Sequence, residues 1–144
     1  MTLEHGISRL KKLPRCVRLT RELHKKLTTG VQGHQAAPGR FRKIQNWIGK
    51  PGSTIATASY IPPAPGKVEP CLAAWEKFLH ESTLPPLVTI TLAHYQFEAV
   101  HPFLDGNSRV GRSKFLLMSI GANRDRRGNL LMPRRSGKGA SQSD

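Results

Sequence analysis

Between Pro85-Pro86 and Pro102, the stretch from Leu87 to Val100 is apolar on nearly every side of a helical projection. A helix with no evident wet face is expected at the centre of an assembly, with other helices packed around it. Proline suits the first turn of such a helix, and Pro102 stops it. Val68, Leu72, Trp75 and Leu79 recur at helical spacing and predict a partner. Another follows Pro14, with Cys16, Leu19, Leu23 and Leu27 on one face and Gly30 as its stop. Leu3, Ile7 and Leu10 form a short amphipathic run, and Val110 to Ile120 continues as a helix beyond Pro102. The chain is expected to be all-α.

The one exception lies in residues 31–66, rich in Gly and Pro. There Ile55 to Ile61, bounded by Pro51-Gly52-Ser53 and Pro62-Pro63, predicts an extended strand or hairpin arm. With 144 residues there is chain for a single core. No run reaches the apolar length of a membrane span, and the start lacks a basic segment followed by an apolar one. Cys16 and Cys71 are too few for a disulfide scaffold and are expected as buried free thiols, which suits a reducing cytoplasm. The formal net charge of +14 concentrates at Arg9 to Lys26 and Arg124 to Lys138. Such a surplus suits either acidic partners or solvated faces and a basic tail. Aromatic residues are not interleaved among the cations, so nucleic acid is not expected as a partner.

After Pro102 comes the densest chemistry. His101-Pro102-Phe103-Leu104-Asp105-Gly106-Asn107-Ser108-Arg109-Val110-Gly111-Arg112 holds a proton acceptor, a carboxylate, a small-residue turn and two arginines. His101 should leave one helix and Asn107 or Ser108 should begin the next, whose free N–H groups face an anion. This inventory suits phosphate chemistry: a base for an attacking hydroxyl, a ligand for Mg²⁺ and donors for phosphate oxygens. Two metal readings fail. Glu98-x-x-His101, with His94 a turn earlier, lacks the second Glu-x-x-His of a di-iron site. Asp105-x-Asn107 opens like a calcium loop, but Arg109 and Val110 occupy its fifth and sixth positions.

The segment resembles the signature of the Fic family, His-x-Phe-x-(Asp/Glu)-Gly-Asn-Gly-Arg-x-x-Arg, with Ser108 in place of the second glycine. Gln45-Asn46-Trp47-Ile48-Gly49, Tyr60-Ile61-Pro62-Pro63 and Leu92-Ala93-His94-Tyr95-Gln96-Phe97-Glu98 also resemble family segments, in the family's order. The resemblance spans about Pro14 to Met118. It implies a Fic-type helical bundle around a central buried helix, with a small β-hairpin flap. The implied activity is Mg·ATP-dependent transfer of AMP to a Ser, Thr or Tyr hydroxyl of a target protein. His101 would be the general base and Asp105 the Mg²⁺ ligand. Gly106, Asn107 and Ser108 would form the anion hole, with Asn107 also donating from its side chain. Arg112 would clamp the terminal phosphates, Arg109 would support the loop or a phosphate, and Phe103 would anchor the loop. Ile55, Ala56, Thr57, Ala58, Ser59 and Tyr60 would form the flap that positions the target by strand pairing; an edge strand without a partner is the other reading.

Residues 1–120 are expected to form a Fic-like domain lacking the family's later helices, and 121–144 a basic disordered tail. The inhibitory Ser/Thr-x-x-x-Glu-Gly/Asn pattern of many relatives is not found, so inhibition would come from a partner or from a helix upstream of Met1. Phosphate transfer or AMP removal would be variants within the fold. The alternative function is a degenerate relic that binds nucleotide or an acidic partner through its basic surface. Ser108 is expected to strain the loop or crowd the phosphates, or, if already helical, to donate its hydroxyl to one.

Overall fold

The computed structural model describes residues 17–29 and 37–122. The expected helix over Leu3 to Leu10, Cys16, the Gly30 stop and the tail beyond Ala122 lie outside these residues. Four α-helices are present among the described residues: α1 (Val17–Thr28), α2 (Val68–Glu81), α3 (Pro86–Val100) and α4 (Asn107–Ala122). The all-α expectation holds.

α2 buries the stripe that its spacing predicts. In α2 the inward residues are Val68, Leu72, Trp75 and Leu79. They meet Ile90, Ala93, Phe97 and Val100 of α3, joined by Phe103, Val110 and Met118. Burying each large apolar side chain here stabilises the fold by about 1.5–3 kcal/mol. The Trp75 indole N–H donates to the Ala93 carbonyl at 2.8 Å, so the largest side chain brings no unpaired polar atom into the core. Leu19 and Leu23 of α1 meet Leu117 of α4. Lys114 of α4 ties three helices: its ammonium donates to the Thr20 hydroxyl and lies 3.6 Å from the Trp75 ring centroid. α3 and α4 cross closely at Gly111, where an added Cβ would run into the Glu98 carboxylate.

Two expectations need correction. α3 is buried on one face rather than all round. Thr89, Ile90, Ala93, Phe97 and Val100 face inward, whereas Leu87 and Tyr95 are 67% and 72% exposed. The reason is coverage: α2 and α4 pack on one side, and no described residue covers the other.

The hairpin arm is also absent. No strand forms among the described residues; Ile55–Thr57 is a single 3₁₀ turn, and Ile48 and Tyr60 make one isolated antiparallel bridge. Thr54 and Thr57 close the turn on themselves. The Thr57 N–H donates to the Thr54 carbonyl, and the Thr54 N–H donates to the Thr57 hydroxyl, both at 3.0 Å. Backbone groups used in that turn are lost to a ladder.

Candidate active site

α3 ends one residue before His101, whose N–H donates to the Phe97 carbonyl at 3.1 Å. His101 itself takes the left-handed conformation, φ 47° and ψ 60°. A side chain other than glycine there costs about 1–2 kcal/mol, and the surroundings must hold it in place. Pro102 keeps His101 out of the right-handed helix, since the residue before proline is disfavoured there.

Arg42 helps to hold His101 there. Its buried guanidinium donates to the carbonyls of His101 at 2.9 Å, Val100 at 3.3 Å, Ile44 at 3.3 Å and Pro63 at 2.5 Å. Its own N–H donates to the Pro102 carbonyl at 2.9 Å. One fork of donors thus gathers the end of α3 and both flanks of the flap. Burial lowers its pKa from the ordinary arginine value. The Asn46 amide adds a contact to the Phe103 carbonyl at 3.2 Å.

The His101 imidazole is half-buried, and its Nδ1 is enclosed without a hydrogen-bond partner among the described residues. Burial pushes its pKa below the ordinary histidine value; the Glu98 backbone carbonyl and then the Glu98 charge oppose that shift, and the Arg42 charge adds to it. The lowered pKa favours the neutral ring.

The loop after His101 is locked from within. Asn107 accepts from the Phe103 N–H and donates to the Phe103 carbonyl, both at 2.8 Å. The expected donation from its side chain to an anion is therefore replaced by this internal clasp, and only its backbone N–H remains to offer. Gly106 has φ 76°, which glycine adopts without strain. Ser108 does not: it lies in the first turn of α4, exposed, with no positive φ. The strain expected of Ser108 is absent because the left-handed turn falls two residues earlier, at Gly106.

At this end of α4 the amides of the first turn are free for an anion. Asp105 stands beside them with its side chain 70% exposed. Its carboxylate accepts from the Gly106 N–H at 2.6 Å and from the Arg109 guanidinium at 3.2 Å. Arg112 is exposed one turn further along the helix from Ser108. One exposed carboxylate next to a helix N-terminus fits Mg²⁺, which takes one or two carboxylates and completes its shell with other oxygens and water. Among the described residues no group of three or more His, Cys, Asp or Glu side chains is placed to hold a metal. The Tyr60 hydroxyl donates to the Ala99 carbonyl at 3.0 Å, so the flap region Ile55 to Tyr60 is tied to the end of α3 beside His101.

One contributor gives no sequence signal. His24 of α1 is 0% exposed, accepts the Gly39 N–H at Nδ1 (2.8 Å) and uses Nε2 on the Asp105 carbonyl (3.0 Å). With Nδ1 accepting, the proton resides on Nε2 and the ring is neutral. It stands 81 positions from Asp105, and no spacing rule connects them.

The pattern of the Fic/DOC family matches residues 15–119. The chain is 35% identical over 105 residues to the protein adenylyltransferase Fic of Drosophila melanogaster, and 36% identical over 107 residues to that of Drosophila erecta. Each match covers 69% of this chain and 19% of the relative, so the chain spans about a fifth of their length. Among solved structures it is similar to a Fic family protein from Desulfovibrio desulfuricans, with TM-score 0.66, 24% identity, and coverage of 82% of this chain and 34% of that one. It is similar also to a Fic domain-containing signaling protein from Bacteroides thetaiotaomicron, with TM-score 0.67, 21% identity, and coverage of 81% and 44%. These two share its fold. With the family pattern running through every described helix, the chain belongs to the Fic/DOC family.

Proposed function

We propose that this chain transfers the AMP moiety of Mg·ATP to a hydroxyl side chain of a target protein. The observation that carries this reading is the placement of His101 at the end of α3, one short loop before the N-terminus of α4. The family relatives named as protein adenylyltransferases support it. His101 Nε2 takes the proton of the incoming hydroxyl. The hydroxyl oxygen bonds to the α-phosphorus as the bond to pyrophosphate breaks, and pyrophosphate leaves with its electron pair. Backbone N–H groups of Asn107 and Ser108 hold phosphate oxygens, the Gly106 N–H joins them once released from the Asp105 carboxylate, and Arg112 holds the terminal phosphates. Asp105 would hold the Mg²⁺, exchanging or sharing its Arg109 contact; the ion offsets charge on the leaving group. The segment Ile55 to Tyr60, tied to Ala99 through the Tyr60 hydroxyl, would help align the target near His101.

A second reading is nucleotide binding without transfer. The exposed Leu87, Leu92 and Tyr95 favour it: among the described residues, the helix that leads to His101 is packed on one side. One experiment separates the two. Purified chain incubated with ATP labelled at the α-phosphate is expected to place label on a protein hydroxyl, with no transfer from the γ-phosphate. Nucleotide binding with no label from either position supports the second reading.

A further inference from the structure

Two cavities of about 720 Å³ and about 580 Å³ lie side by side on the face formed by α1, residues 38–43 and the start of α2. They share Arg21 and Arg40 and so form one continuous groove. None of the signature residues from His101 to Arg112 lines it. We propose that this groove docks an acidic peptide segment of a partner protein.

Charge is the first argument. Arg21, Lys25, Arg40 and Lys43 edge the groove, and no carboxylate pairs with Lys25, Arg40 or Lys43 among the described residues. Arg18 is already answered by Glu22 at 3.4 Å. A concave, cation-edged surface raises the local concentration of an anionic ligand and strengthens each contact made inside it.

Preorganisation is the second argument. The Arg21 guanidinium donates to the Gly39 carbonyl at 2.8 Å and lies 5.5 Å from the Phe41 ring centroid. The cation at the junction of the two cavities is thus held before any ligand arrives, which lowers the ordering cost of binding. Gly39 must be glycine there: its φ is 72°, and a Cβ would stand 3.1 Å from the Arg21 carbonyl oxygen.

The lining favours a peptide over nucleic acid. Glu22 and Glu69 stand in the walls, so evenly spaced phosphates would meet repulsion that a peptide avoids by its choice of residues. Phe41 is the groove's one aromatic residue, and Arg21 occupies a face of its ring, leaving no stacking platform for bases. Pro65 and Pro70 give the floor apolar surface suited to an extended chain.

This proposal deepens the adenylyltransferase reading by naming the chemistry of its target, and it rests on that reading only for which protein supplies the segment. The test is fluorescence anisotropy of the full chain with a labelled peptide of alternating Glu and Ala, against its Gln counterpart. At about 0.15 M salt, where exposed charges beyond about 8 Å are screened, the Glu peptide is expected to bind and the Gln peptide not.

The charge-reversed pair Arg40→Glu/Lys43→Glu should weaken binding by about tenfold or more. The matched pair Arg126→Glu/Arg127→Glu, with the same change in net charge, should leave it within about twofold. Should charge reversal disturb folding, the milder Arg40→Gln/Lys43→Gln pair reads in the same direction. Equal weakening by the two pairs, or equal binding of the Gln peptide, overturns the proposal. So does an oligothymidylate that binds more tightly and is lost with the groove pair. Peptide binding by a chain that transfers no label from ATP keeps the groove and removes the enzyme reading; transfer without peptide binding does the reverse.

Discussion

His24 and Phe103 stack face to face, with ring centroids 3.8 Å apart and planes within 3° of parallel. The same imidazole bridges the Gly39 N–H and the Asp105 carbonyl, so one side chain of α1 sets the height and tilt of the signature loop. His24→Phe keeps the stack and drops both hydrogen bonds. Leaving those buried partners unpaired should cost about 1–3 kcal/mol for each group. His24→Ala loses the stack as well and should cost about 1 kcal/mol or more beyond that. Urea unfolding of the two variants gives the comparison; equal losses would mean that the stack contributes nothing.

The left-handed conformation of His101 separates its chemical role from its structural cost. His101→Ala and His101→Gly should both lose transfer by roughly 10²–10⁴ while retaining nucleotide binding within a few-fold. The glycine form should be the more stable of the two by about 1 kcal/mol, because φ 47° suits glycine and strains alanine. Thermal melts that rank alanine above glycine would contradict the geometry. An alanine variant that transfers at the parental rate would remove the base.

The depressed pKa of His101 fixes the sign of the pH profile. The base works unprotonated, so the rate should be flat through neutral pH and fall on the acid side, with its inflection below about 6.5, the ordinary imidazole value. Glu98 pulls that pKa upward first through its backbone carbonyl and then through its carboxylate charge, so Glu98→Gln, which removes only the charge, should move the inflection modestly to lower pH. An inflection above the ordinary value, or a shift to higher pH in the variant, would show that another group limits the rate.

Arg42→Lys keeps a positive charge but loses the fork that reaches Ile44, Pro63, Val100 and His101. Each buried carbonyl left unpaired costs about 1–3 kcal/mol. Stability and transfer rate should both fall, while Arg112→Ala should weaken ATP binding with little change in stability. Calorimetric titration with Mg·ATP, set beside melting curves, distinguishes the two arginines. Unchanged ATP affinity in Arg112→Ala would place the phosphates elsewhere.

Ser108→Gly tests the one departure from the family signature. A helical, exposed serine has no backbone strain to relieve, so glycine should bring no gain in stability and a loss of up to about 1 kcal/mol. The transfer rate should not rise. A clear increase, at tenfold per about 1.4 kcal/mol of barrier, would show that the serine side chain crowds the phosphates.

The sequence by itself determined the helices and their inward stripes, because Val68, Leu72, Trp75 and Leu79 carry the helical period within their own segment. It also determined where α3 stops and α4 starts, since Pro102 and Asp105-Gly106-Asn107 act on neighbouring residues. Tertiary structure decided what depends on distant partners. Leu87 and Tyr95 are exposed because nothing described packs on that side of α3, a fact that an apolar pattern does not encode. Ile55 to Ile61 reads as a strand locally, but a strand needs a ladder, and the Thr54–Thr57 turn takes up the backbone groups first. Asn107 turns inward to Phe103, and His24 and Arg42 reach the loop from 81 and 59 residues away. Such contacts follow from how helices pack and not from any periodicity, so only the fold brings them to the site.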